Sequence, residues 1–113
     1  MPLRKPVLRL KTGKLLNYNQ TIICGKIVRI DPLRYTPIGK AIIEFEISHA
    51  SKQIEASIER LVVCKIFAVA LADMAKAISD MEVGSFVKLT GFLGKKNKIS
   101  SQLALHVTHI DIL

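Results

Sequence analysis

From residue 19 onward, short apolar runs rich in β-branched residues alternate with small polar clusters, the texture of strands separated by turns. Thr21 to Ile30 reads Thr-Ile-Ile-Cys-Gly-Lys-Ile-Val-Arg-Ile and predicts a first strand, with Gly25 marking a bend or bulge. Asp31-Pro32 and Pro37-Ile38-Gly39 bracket a loop, because proline withholds a ladder donor and the following glycine accepts a positive φ. Ala41 to His49 predicts a second strand with Ala41, Ile43, Phe45 and Ile47 on an apolar face, and Ile42, Glu44, Glu46 and Ser48 on the other. Residues 50–53 are polar, and alternation resumes from Ile54 to Phe67 in a long third strand. One face of that strand carries Ile54, Arg60, Cys64 and Ile66, and the other Glu55, Leu61, Val63, Lys65 and Phe67.

From Ala68 to Met81 the apolar spacing becomes helical, and the alanine content supports a helix there. Ser85 to Leu93 predicts a fourth strand, residues 94–101 a lysine-rich turn, and Gln102 to Leu113 a fifth strand. The order β-β-β-α-β-β in about a hundred residues predicts an all-β domain with one helix, a five-stranded Greek-key barrel of the oligonucleotide-binding (OB) type. Closure explains how so many short apolar strands coexist without exposed edges.

A length of 113 residues bounds the chain to one domain, and 50% hydrophobic with 23% charged residues sets it among globular chains. The net charge is +8, but Arg4, Lys5, Arg9, Lys11 and Lys14 hold five bases in the first fourteen residues. The remainder sets twelve bases against nine acids, so the predicted barrel, residues 19–113, is only mildly basic. Residues 1–18 read as a basic N-terminal extension, either a flexible solvated tail or a cationic arm for an anionic polymer. The sequence has neither a membrane-length apolar run nor a secretory leader, which points to a soluble cytoplasmic protein. Cys24 and Cys64 lie forty residues apart without metal-ligand spacing, so two reduced, mostly buried thiols are expected and no cofactor or metal is indicated.

No catalytic constellation emerges. Glu44 and Glu46 share a strand face, which solvated strand charges explain better than a metal-dependent nuclease does. His106 and His109 are three apart and on a regular strand point to opposite sides, which argues against a shared metal. His49 reads as a turn histidine. The basic residues are better placed. Arg29 ends the first strand, Arg34 and Lys40 lie in or beside the next loop, and Lys95, Lys96 and Lys98 fill the last turn. Those are the two loops with which an OB barrel grips a nucleic-acid strand. Such binding should weaken steeply with salt. Lysines also decorate turns for solubility alone. Stacking platforms are scarce, with no tryptophan and six aromatics. Phe45 and Phe67 read as core or interface residues. Tyr35, beside Arg34, is a stacking candidate. Phe92, on the Lys88 and Thr90 face, suits stacking or the core equally.

From Asn19 onward the chain resembles the family of primosomal replication protein N, PriB, a relative of bacterial single-strand DNA-binding proteins. The resemblance rests on Asn19 before the first strand, Gly25 four residues before Arg29, and Arg34-Tyr35-Thr36-Pro37-Ile38-Gly39. It continues through Phe45 to His49, Arg60 four before Cys64, Val83-Gly84-Ser85, Gly91-Phe92, the lysine turn and the closing His109-Ile110. It implies a non-catalytic homodimer that binds single-stranded DNA in the replication-restart primosome and supports the PriA helicase, with DnaT a further partner in some bacteria. Carried over by position, Arg29, Arg34, Lys95, Lys96 and Lys98 match basic DNA-contact positions, and Arg60 matches a strand-three arginine. The chain departs where some members carry strand-three aromatics, here Ile58 and Val63. Gln102 stands where a base follows the turn, and the turn is shorter. Ile22-Ile23 and Ile42-Ile43 put apolar groups on both faces of their strands, independent support for a homodimer. Two rival readings stand beside this one: a protein-interaction adaptor with weak or no nucleic-acid affinity, and a single-stranded RNA binder of the same fold.

Overall fold

The computed structural model describes residues 15–113. The expectations for the basic stretch 1–14 fall outside those residues. Alternating patterns become strands β1 (Thr21–Ile30), β3 (Ala41–Glu55), β4 (Ile58–Leu71), β5 (Phe86–Lys95) and β6 (Leu103–Ile112). A two-residue strand β2 (Arg34–Tyr35) and a helix α1 (Asp73–Ser79) complete them. The order β1-β5-β6-β4-β3 closes through a β1–β3 pairing, giving a five-stranded barrel, and β2 lies outside it against β3. All pairings are antiparallel except β4 with β6, where Ala68, Val69 and Ala70 face Leu105, His106 and Val107. This is the expected OB barrel.

Inward positions of the alternation make the core: Ile27, Ile43, Phe45, Ile47, Leu89 and Leu105 are each fully buried. Each side chain of this size contributes about 1.5–3 kcal/mol by leaving water. The expected apolar face of Ala41, Ile43, Phe45 and Ile47 is buried throughout. Among the described residues no helix is long and apolar enough to cross a membrane.

Three boundaries differ from the sequence expectation. Residues 50–53 do not connect two strands; β3 runs through them to Glu55, and the hairpin turns at Ala56-Ser57, both with positive φ. A polar stretch stays in a strand because the hairpin projects past the barrel, where both its faces are wet. The expected helix at Ala68–Met81 shrinks to seven residues, since Ala68 to Leu71 stay in β4, with Ala68 to Ala70 paired to β3 on one side and β6 on the other. Two flanking ladders outweigh the helical preference of alanine. Ala72, with φ 54°, breaks the strand, and Ala75 and Ile78 then enter the core. The loop after β1 contains β2, held by a turn in which Gly39 (φ 87°) and Lys40 donate to Thr36.

Gly25 lies where β3 approaches β1, since a Cβ there would meet the Ser48 carbonyl at 2.8 Å, while the β1 bulge falls between Ile27 and Arg29. Both cysteines are exposed, correcting the expectation of buried thiols. Cys24 points outward from β1, and Cys64 lies on the projecting hairpin. His49 is also not a turn residue. It lies within β3, its Nδ1 2.7 Å from the Cys24 carbonyl and its Nε2 2.8 Å from Ser51 Oγ.

Candidate nucleic-acid interface

The outer face of β3 and β4 carries Glu44, Glu46 and Phe67, with Glu46 directly opposite Phe67. Three basic residues from three different segments converge there. Arg29, from the end of β1, places its guanidinium carbon 5.3 Å from the Phe67 ring centroid. Lys96, from the turn after β5, brings Nζ to 5.0 Å of the same centroid and 3.7 Å from Glu44 Oε1. Arg34, on β2, donates from Nη2 to Glu44 Oε2 at 3.1 Å. Arg29 also pairs with Asp31 at 3.2 Å. The two expected gripping loops therefore meet over one strand pair. Phe67 acts as an apolar pedestal that seats two cations, each contact worth about 0.5–1 kcal/mol at an exposed site.

Glu44 is the hinge of this arrangement. Its side chain is only 15% exposed and it serves both Arg34 and Lys96. The cluster is consequently pre-ordered and partly neutralised. Phosphates arriving on it would meet fixed cations, with Glu44 as their competitor.

The other basic candidates are less concentrated. Lys95 donates to the Lys98 carbonyl at 3.2 Å, and Lys98 is exposed. The turn itself is held by Asn97 Oδ1, which accepts from the Ile99 and Ser100 amides. Lys40 is exposed beside β2. Lys88 lies on the outer face of β5 between Cys24 and Asp111, away from the cluster. Arg60 pairs with Glu55 near the hairpin tip. Seven residues of strand separate it from Phe67, about 23 Å at 3.3 Å per residue.

Tyr35 is exposed on β2. Phe92 points outward, 43% exposed, with its ring stacked on His106 at 5.1 Å between centroids and 4° between planes. His106 Nε2 lies 2.8 Å from the Lys95 carbonyl. The histidines do not point to opposite sides: His106 faces Phe92 and His109 faces Thr90, which share the outer face of β5. The extra residue Thr108, at the register shift beside Gly91, realigns the alternation. His109 bonds Asp111 instead of sharing a site with His106, and the described residues contain no metal-binding cluster.

Sequence reasoning missed Phe67, Glu44 and His106 as members of this surface. The alternation does place Phe67 with Lys65 on one face. It does not show which face meets the loops, because that depends on barrel closure.

The closed OB barrel is the fold of the single-strand binding class, and residues 19–109 match the model of another single-strand binding protein family. The chain belongs to that family and, within it, to the PriB replication restart proteins. It is 45% identical to the replication restart protein PriB of Nitrosomonas europaea over 98 residues, covering 87% of this chain and 91% of the relative. Identity to PriB of Bordetella pertussis is 32% over 89 residues, covering 79% and 83%. Among solved structures, PriB of Ralstonia solanacearum superposes with a TM-score of 0.79 at 25% identity, covering 85% of this chain and 98% of that one. The wild-type single-stranded DNA binding protein of Thermus aquaticus gives 0.66 at 25% identity, and this chain, 84% covered, spans half its length.

Proposed function

We propose that this protein is a non-catalytic, single-stranded DNA-binding component of the replication-restart primosome. The observation that carries the reading is the convergence of Arg29, Arg34 and Lys96 around Phe67 and Glu44, in a chain that belongs to the PriB family. Lys40, Lys95 and Lys98 extend this positive surface along the two loops, and backbone phosphates are its natural ligand. Tyr35 and Phe92 supply rings for stacking. Lys88 and Arg60 lie outside the cluster and act, on this reading, as outlying contacts on a longer strand. Support of the PriA helicase, with DnaT a further partner, is part of this reading on the strength of the family resemblance and not of any contact described above.

A second copy of the chain fits the edge of β1. Among the described residues Thr21 to Gly25 pair with β5 only, because pairing to β3 begins at Lys26. Ile22 and Phe86 expose more than half their surface on the outer side of that strand pair, whereas Ile23 packs on the core and Ile42 is half-buried. The homodimer reading therefore rests on Ile22 and not on both isoleucine pairs.

The adaptor reading draws support from one observation: each cation seated on or beside Phe67 already has a carboxylate partner. Fluorescence anisotropy of a labelled oligo-dT at low and moderate salt separates the two. Binding that weakens as salt rises is the expected result. Absence of binding at low salt, with retention of PriA in a pull-down, favours the adaptor, and a stronger signal with a matched RNA strand favours the RNA binder.

A further inference from the structure

The Phe67 ring is already occupied by Arg29 and Lys96, so the cluster offers phosphate contacts but little free aromatic surface. Apart from Tyr35 on β2, the free rings lie further round the barrel. His106 lines both the hollow beside Lys95, Lys96 and Lys98 and a second, apolar hollow that it shares with Phe92 and Met74. Phe92 is the ridge between that hollow and a third, of about 710 Å³, walled by Asn17, Tyr18, Gln20 and Thr90. This volume falls within the roughly 300–1,000 Å³ of small-ligand clefts.

The residue that follows Tyr18 is anchored to β5. Asn19 Nδ2 donates to the Leu93 carbonyl at 2.8 Å, and Asn19 Oδ1 accepts the Leu93 amide at 2.9 Å, so one side chain imitates a strand pairing. Tyr18, next to this clamp, is fully exposed. Phe92 has one ring face covered by His106 and keeps 43% of its surface open. The hollow is lined by aromatic and neutral amide groups, which suits an uncharged flat ring better than a phosphate.

We infer that the Phe92–His106 pair and Tyr18 form a nucleobase-stacking station, continuous with the lysine turn through His106, which takes a base of the same single strand whose phosphates lie on the basic cluster. This rests on the single-strand reading above. Stacking is sequence-tolerant, because every base has a flat π-face, so the station selects for the presence of a base and not for its identity.

The test compares oligo-dT with an abasic oligomer of equal length and charge. Phe92→Leu, which keeps apolar bulk, and Tyr18→Ala are each expected to weaken oligo-dT binding roughly tenfold, leaving the abasic oligomer and the salt slope unchanged. The chain has no tryptophan and two tyrosines, so Tyr35→Phe leaves Tyr18 as the sole tyrosine emitter. Its fluorescence should be quenched by oligo-dT and hardly by the abasic strand. Equal losses on both oligomers, or an unquenched Tyr18 while anisotropy reports binding, overturn the station and leave the DNA-binding reading intact. No binding of oligo-dT by the wild-type chain overturns both. A melting curve matching wild type shows that Phe92→Leu is folded.

Discussion

Two residues hold the surface in its present form, and each yields a prediction. Glu44 holds Arg34 and Lys96 at 3.1 and 3.7 Å, so Glu44→Gln removes the carboxylate that competes with phosphate. Exposed ion pairs are worth about 0.2–1 kcal/mol, and oligo-dT affinity at low salt should rise roughly two- to fivefold. Weaker binding would mean that ordering of the cations outweighs their neutralisation. Gly91 acts through space and not charge. A Cβ there would lie 2.0 Å from the His106 carbonyl oxygen, a backbone atom that cannot swing away. Gly91→Ala should therefore cost about 1–3 kcal/mol, read as a lower urea midpoint, and should disturb the Phe92–His106 stack with it. Neither role was legible in the residue itself. Glutamate on a strand face reads as solvated, and a mid-strand glycine signals a close approach without naming the neighbour.

At the scale of elements, the lysine turn keeps its main brace without its lysines, since Asn97 Oδ1 and Ser100 Oγ accept its amides and only the Lys95 Nζ bond to the Lys98 carbonyl is lost within it. Replacing Lys95, Lys96 and Lys98 together by alanine should lower oligo-dT affinity and reduce the slope of log affinity against log salt by roughly 1 to 2, at about 0.7 per phosphate on a single strand. An unchanged slope would remove the turn from the interface. The elements were largely legible beforehand. β-Branched content located β1 to the residue, and period-two alternation put Ala41, Ile43, Phe45 and Ile47 inside. It misplaced the hairpin turn because a polar strand with two wet faces carries no hydrophobic signal. The helix was overextended because Ala68 to Ala70 suit a helix locally and are held in β4 by ladders to residues 23 to 27 and 37 positions away. β2 was invisible, since two residues cannot show a period.

For the whole molecule, barrel closure decides what the sequence could not: it brings Arg29 and Lys96 over Phe67 and Arg34 onto the neighbouring Glu44, and sends Arg60 and Lys88 elsewhere. It also leaves the first half of β1, among the described residues, without a strand partner on one edge, where only the His49 ring reaches the Cys24 carbonyl and a further strand could pair. Light scattering after size exclusion should give about twice the 12.5 kDa of one chain, and Phe86→Glu should shift the population toward monomer. A monomer at all concentrations for the wild type would set the second copy aside. The same closure makes the surface an ion exchanger whose resident counterion is built into the wall. When a phosphate displaces Glu44 from Arg34 or Lys96, the strand sheds a condensed cation while the freed carboxylate draws one in, so that contact adds less to the salt dependence than one made by an unpaired cation. The salt slope of the native protein should then undercount the phosphates held, and Glu44→Gln should recover the difference as a steeper line.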